Sequence, residues 1–222
     1  MSTQTPASPS LQPSQPSLQL VAGVVLAGGR SVRFGGEKAA ALLAGKPLVM
    51  WAAQRLQGSC AAVAVNARPG TEAEAIAQAA GLVVLHDAAG DAAGPLAGVK
   101  AGLAWAEGLG AGALAVSPCD APLLPHDLFV RLITAAGGGA AMAETSDGRQ
   151  PLCAVWPVAA LPTVTEALTA GAHPPTWRVL ESVGAQRVRF DRADAFANLN
   201  TRADLAAIAE RLARGEVDLG ER

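Results

Sequence analysis

Short, continuous apolar runs recur along the chain, separated by stretches whose apolar residues fall at helical spacing. Leu20 to Leu26 (LVAGVVL) is rich in Val and ends in Ala27-Gly28-Gly29, the pattern of a strand buried on both faces. Comparable runs follow at Ala62–Val65, Leu82–Leu85, Ala113–Val116, Ala140–Ala143, Leu152–Trp156 and Arg187–Phe190. Between them, Pro47 opens a segment that places Leu48, Trp51, Ala52 and Leu56 on one face. Thr71-Glu72-Ala73-Glu74 is a capping box with Gly81 as its stop. Pro95–Trp105 and Pro125–Ala136 read as two more helices. Thr201–Arg214 closes the pattern, with Thr201 as cap, Asp204 at the positive end, and Leu205, Ile208 and Leu212 on one face. Strands alternating with helices predict βαβ units and an α/β fold: a Rossmann-like three-layer sandwich with a mostly parallel central sheet. Gly137-Gly138-Gly139 interrupts the pattern, but one continuous sheet is expected rather than two domains. The expected organisation is a disordered tail over 1–19, one domain over 20–214 and a C-terminal tail over 215–222.

Composition narrows the partners. Half of the 222 residues are hydrophobic, and the net charge is −2. With no basic excess, 4% aromatics and no tyrosine, the chain is not suited to grip a nucleic acid polymer. A nucleotide needs only one or two well-placed cations. No apolar run approaches the ~18 residues of a membrane span. The first 20 residues carry no charge and lack the basic start and apolar middle of a secretory signal. Cys60, Cys119 and Cys153 form neither a zinc pattern nor a disulfide framework, and a reducing, cytoplasmic setting is expected.

In such folds ligands bind beyond the carboxyl ends of the strands, so the loops there hold the candidate chemistry. The first runs from Leu26 to Lys38 with four glycines (Gly28, Gly29, Gly35 and Gly36) and the cations Arg30, Arg33 and Lys38. Its backbone N–H groups can approach an anion closely, while Arg33 and Lys38 neutralise a polyphosphate. It fits neither the dinucleotide fingerprint nor the P-loop, since Glu37 precedes Lys38 and Ala39 follows it. Asp120, held between Pro118 and Pro122 after an apolar run, suits a magnesium ligand; a turn-capping role is the alternative. Asn66 ends the second strand and Asp87 follows the third, where each could hold a base or ribose, and either also suits a turn. Gly94-Pro95-Leu96 opens a helix whose free N–H groups can meet a base or phosphate, or simply starts the helix. Asn198 and Asn200 are either further metal ligands or turn residues. His86, His126 and His173 show no metal spacing, Cys119 is assigned to packing, and the four tryptophans read mainly as core.

These residues carry a resemblance. Leu-Ala-Gly-Gly-x-Ser-x-Arg-Phe-Gly, then Lys38, then Gly45-Lys46-Pro47-Leu48, resembles the nucleotidyltransferases that make nucleotide sugars and related diphosphates. With Gly-Pro-Leu-Ala-Gly, Pro-Cys-Asp-Ala-Pro and Asn-Leu-Asn-Thr, the chain from about Val21 to Leu212 resembles the molybdenum cofactor guanylyltransferase family. The resemblance implies the nucleotide-diphospho-sugar transferase type of fold. It also implies GTP and molybdenum-molybdopterin as substrates, Mg2+ as cofactor, and transient contact with molybdopterin-loading proteins or target molybdoenzymes. It implies that Leu26, Ala27, Gly28, Gly29, Lys38, Asn66, Asp87, Gly94, Pro95, Leu96 and Asp120 hold the nucleotide. Lys38, Arg33 and Asp120 would be catalytic, with metal on Asp120, Asn198 and Asn200. The sequence departs from the family at Glu37, where Asp is usual, and over Ala170–Trp177, which lacks the basic residues expected near the pterin phosphate; Arg149, Arg178 or Arg187 are the substitutes at hand. The alternatives are a cytidylyltransferase on the same pterin, which the Ala-Gly-Gly loop disfavours, a nucleotidyltransferase on another small phosphate, and a non-catalytic carrier.

Overall fold

The computed structural model describes residues 20–29, 34–91, 94–169 and 174–219. Its centre is one seven-stranded sheet built from β1 (Val21–Leu26), β4 (Ala62–Asn66), β5 (Val83–Leu85), β6 (Ala113–Pro118), β7 (Ala141–Thr145), β8 (Gly148–Pro157) and β9 (Gln186–Arg189). The order is β5-β4-β1-β6-β8-β7-β9. Every pairing is parallel except those of β8, which runs antiparallel to both β6 and β7. The glycine cluster after Ala136 does not divide the sheet, since β7, β8 and β9 continue it. A separate two-stranded hairpin, β2 (Leu42–Leu43) with β3 (Lys46–Pro47), turns at Ala44 and Gly45, both at positive φ.

Helices cover both faces. Helices α1 (Leu48–Gln57), α2 (Glu72–Ala79) and α4 (Leu128–Ala136) pack one apolar cluster with Val25, Val65 and Ala115 of the sheet. Helices α3 (Pro95–Gly108), α5 (Leu161–Thr169) and α6 (Thr176–Ser182) pack the other with Val24, Leu114 and Trp156. Leu48 and Leu56 of α1 are fully buried, and each such side chain contributes about 1.5–3 kcal/mol of transfer free energy. The last helix, α7 (Arg202–Ala213), starts in a capping box: Thr201 accepts from Asp204 N–H, and the Asp204 carboxylate accepts from the backbone N–H of Thr201 and Asn200. It packs outside the sandwich against Leu43, Trp51 and Leu199. Residues 215–219, expected to trail away, fold back instead. Leu219 is buried, and its carbonyl accepts from the Arg55 guanidinium at 3.2 Å. No described helix is long and apolar enough to cross a membrane.

Helix α3 carries Gly98 and Gly102 in its interior, each costing about 1 kcal/mol of helix propensity relative to alanine. Packing explains both. A Cβ on Gly102 would lie 2.8 Å from Leu114 Cδ2, and one on Gly98 would lie 2.7 Å from Leu26 Cδ2. The missing methyl groups let α3 lie tightly against β1 and β6 at Gly102 and against the carboxyl ends of β1 and β4 at Gly98.

Candidate active site

The carboxyl ends of β1, β4, β5 and β6 open into a cavity of about 620 Å³, lined by Leu26–Gly29, Lys38, Asn66, Asp87, Gly94, Pro95, Asp120 and Asn200 among others. Three strand ends are tied together at its floor: Ala27 N–H donates to Asn66 O at 2.8 Å, and Cys119 N–H donates to Leu26 O at 3.3 Å.

Lys38 sits in a short 3₁₀ turn, Lys38–Ala40, after the glycine-rich loop. Its ammonium donates to Asp120 Oδ2 at 2.8 Å and to Asn200 Oδ1 at 3.3 Å. The pair is mostly shielded, with side-chain exposures of 12% and 19%, so its electrostatics are only weakly screened by water. Asp120 is further tied to the segment before α7, because its carbonyl accepts from Leu199 N–H at 2.8 Å. That bond seats Asn200 beside the carboxylate. Asn198, by contrast, is exposed and off the cavity lining; its carbonyl accepts from Asn200 Nδ2 at 3.4 Å.

Glu37, the residue before the lysine, fixes the end of the loop. Its two carboxylate oxygens accept from the backbone N–H of Glu72 at 2.6 Å and of Ala73 at 2.9 Å, capping α2 from 35 residues away. Thr71 completes the cap by accepting from Glu74 N–H, whereas the Glu74 carboxylate accepts from Gly70 rather than Thr71. The box predicted at this helix is therefore half local and half supplied by Glu37.

On the other side, Asn66 Nδ2 donates to Asp87 Oδ1 at 2.9 Å and more distantly to Leu85 O. Leu96, expected at the nucleotide, turns its side chain into the core between sheet and α3 and is 4% exposed. Arg33 lies outside the described residues, as do the other cation of the loop, Arg30, and His173. Arg149, Arg178 and Arg187 do not line the cavity. Arg149 and Arg178 lie over Trp177, and Arg149 and Arg187 pair with Glu181. His86 is held between Ala67 O and Glu74, and His126 faces Arg55.

Sequence reasoning missed five lining residues: Ala39 and Pro118, which flank predicted site residues, and Arg68, Leu152 and Cys119. Arg68 follows Asn66 by two. Leu152 reaches the cavity through a β-bulge: Met142 pairs with Ala154 but Ala143 pairs with Gln150, so residues 151–153 loop out of register. Cys119 packs against the core as expected but also lines the cavity, and burial, followed by the neighbouring Asp120, pushes its thiol up to about 12. It is no nucleophile at neutral pH.

A parallel sheet with a polyphosphate-sized cavity across its carboxyl ends, a lysine–aspartate pair at the floor and paired polar groups to one side defines a nucleotide-binding α/β protein. The family of the MobA-like NTP transferase domain matches residues 23–188, and the chain belongs to that family. It is 41% identical over 198 residues to the molybdenum cofactor guanylyltransferase of Cereibacter sphaeroides, covering 86% of this chain and 96% of the relative. The molybdenum cofactor guanylyltransferase of Rhodobacter capsulatus is 41% identical over 195 residues, covering the same shares. The fold is also that of molybdopterin-guanine dinucleotide biosynthesis protein A from Archaeoglobus fulgidus, with a TM-score of 0.70 at 23% identity over 87% of this chain and 99% of the other.

Proposed function

We propose that this protein transfers GMP from GTP to the phosphate of molybdenum-molybdopterin, forming the molybdopterin guanine dinucleotide cofactor and pyrophosphate. The observation that carries the reading is the Lys38–Asp120 pair, 2.8 Å apart at the floor of the cavity and facing the Leu26–Gly29 backbone. The full-length relatives named for this reaction support the choice of substrates.

The chemistry asks for positioning and charge neutralisation rather than covalent help. An oxygen of the molybdopterin phosphate attacks the α-phosphorus of GTP in line. The new P–O bond forms as the bond to the bridging oxygen breaks, and that electron pair leaves with pyrophosphate. The nucleophile is already an anion, so no general base is needed. The backbone of Leu26 to Gly29 would cradle the phosphates, and Asn66 with Asp87 would hold the nucleoside. Lys38 would stabilise charge building on the α-phosphate and the leaving group, with Arg33 as its partner in the loop.

The residues fit a magnesium ion. The Asp120 carboxylate and the Asn200 amide oxygen converge on one point, now taken by the Lys38 ammonium. One hard carboxylate, an amide oxygen and substrate phosphate oxygens make a normal magnesium donor set. The described residues hold no cluster of three His, Cys, Asp or Glu that could bind a metal by themselves. The ion would therefore be held jointly by Asp120, Asn200 and the nucleotide, and when bound it would supply charge neutralisation at the phosphates. Asn198 is left to shape the segment that carries Asn200. A cytoplasmic setting, and transient contact with molybdopterin-loading proteins or target molybdoenzymes, belong to the same reading.

The test is pyrophosphate release from each nucleoside triphosphate in the presence of magnesium and molybdenum-molybdopterin. GTP-selective release is expected. CTP-selective release would make the protein a cytidylyltransferase, and saturable binding without release would make it a carrier.

A further inference from the structure

The last residue of β4, Asn66, is followed by one more step of pairing to β5, where Ala67 N–H donates to Leu85 O at 3.0 Å. Ala67 is buried on the α1–α2 side, while Asn66 and Arg68 both line the cavity. This is the alternation of an extended chain, in which positions two apart share a face. Arg68 is exposed, and its guanidinium has no hydrogen-bond or ion-pair partner among the described residues. Asp87 lines the same cavity; its Oδ1 accepts from Asn66, and its Oδ2 has no partner among the described residues. A base entering beside Asn66 thus meets one acceptor carboxylate and one forked donor.

That pair has the complement of a single base. Guanine presents two adjacent donors, N1–H and the N2 amino group, and beside them two acceptors, O6 and N7. Adenine puts an acceptor at N1 and a donor at the position of O6, reversing both contacts. Cytosine has an acceptor at N3 beside its amino group and no N7. A guanidinium fork matches O6 and N7 bidentately, whereas a lysine is a point charge that does not. We infer that Arg68 is a base-reading residue that donates to O6 and N7 of guanine while the Asp87 carboxylate accepts from N1–H and the N2 amino group. The inference rests on the guanylyl-transfer reading above and assigns the choice of base to one residue outside the phosphate machinery.

The probe is a guanine nucleotide lacking one acceptor. KM and kcat are measured for GTP and for 7-deaza-GTP, which keeps N1–H, N2 and O6 but lacks N7, with the wild-type protein, Arg68→Ala and Arg68→Lys; inhibition by inorganic triphosphate is measured alongside. The wild type is expected to favour GTP over 7-deaza-GTP by about tenfold in KM, a fraction of the discrimination of a full bidentate contact. Arg68→Ala is expected to raise the GTP KM by about 10- to 100-fold, to erase the preference for N7, and to leave kcat and triphosphate inhibition within twofold. Arg68→Lys is expected to stay close to Arg68→Ala. Equal weakening of GTP, 7-deaza-GTP and inorganic triphosphate, with rescue by lysine, would overturn the assignment and make Arg68 a phosphate contact. An unchanged GTP KM in Arg68→Ala would also overturn it. A wild type that turns over CTP in preference to GTP defeats the functional reading itself, and does so before any variant is made.

Discussion

Replacing Gly98 with alanine tests how the nucleoside side of the cavity is held. A Cβ there would lie 2.7 Å from Leu26 Cδ2, 2.9 Å from Asn66 Cγ, and closer still to Asn66 Oδ1. Asn66 would have to move, and its 2.9 Å bond to Asp87 would go with it. Alanine gains about 1 kcal/mol of helix propensity over glycine, and overpacking costs about 1–3 kcal/mol, so a net loss of about 0–2 kcal/mol in stability is expected. A hydrogen bond to a charged group is worth about 1.5–3 kcal/mol, which converts to a rise of about 10- to 100-fold in the KM for GTP. The turnover number should barely change, because Asp120 and Asn200 hold the Lys38 ammonium. Gly102→Ala is the control: its Cβ would meet Leu114 at 2.8 Å and Val24 at 3.1 Å, both in the core. That variant should lose stability and keep its KM. Thermal denaturation and steady-state pyrophosphate release decide the matter. A Gly98→Ala protein that is more stable than wild type, with an unchanged KM for GTP, would refute the argument that this glycine exists to seat Asn66.

Lys38→Ala and Asp120→Ala are each expected to lower turnover by on the order of 10²-fold or more with the fold intact by circular dichroism, the scale of losing one preorganised charge contact. The nucleotide-free wild type should bind Mn2+ poorly, because the Lys38 ammonium already sits on Asp120; Lys38→Ala should bind it more tightly in an electron paramagnetic resonance titration. Glu37→Ala removes two hydrogen bonds from the N-terminus of α2, and amide exchange at Glu72 and Ala73 should accelerate together with a severalfold loss in turnover. With its thiol pushed up to about 12, Cys119 stays protonated through the neutral range, so iodoacetamide at pH 7.5 should leave pyrophosphate release unchanged; thiolate reactivity appears only as pH rises toward that value.

The sheet was legible because every strand but the edge strand β9, Gln186–Arg189, contains a compact apolar run in the sequence. The seven predicted runs match the seven strands to within a few residues; helices α1, α2, α4 and α7 were readable from spacing and caps, and α3 from the proline in its first turn. The hairpin β2–β3 was not, because two residues per strand give no periodicity. Helix α5 was missed because Thr163, Val164 and Thr165 crowd its start with β-branched residues of low helix propensity. In the cavity, residues at strand ends were the readable ones. Arg68 carried no local mark beyond its charge, and the cap from Glu37 to α2 spans 35 positions, a separation that no short-range pattern reports. Leu96 divides its roles: its backbone belongs to the motif that opens a helix at the cavity, while its side chain obeys hydrophobicity and turns into the core.

The carboxylate of Glu37 has a mechanical consequence. The peptide that bears the lysine and the helix that follows Arg68 are riveted through one side chain, so neither bank of the cleft can swing without dragging the other. The lysine and Arg68 thus keep their spacing as one unit. A change at Arg68 is therefore expected to alter affinity while the ammonium stays where Glu37 holds its peptide.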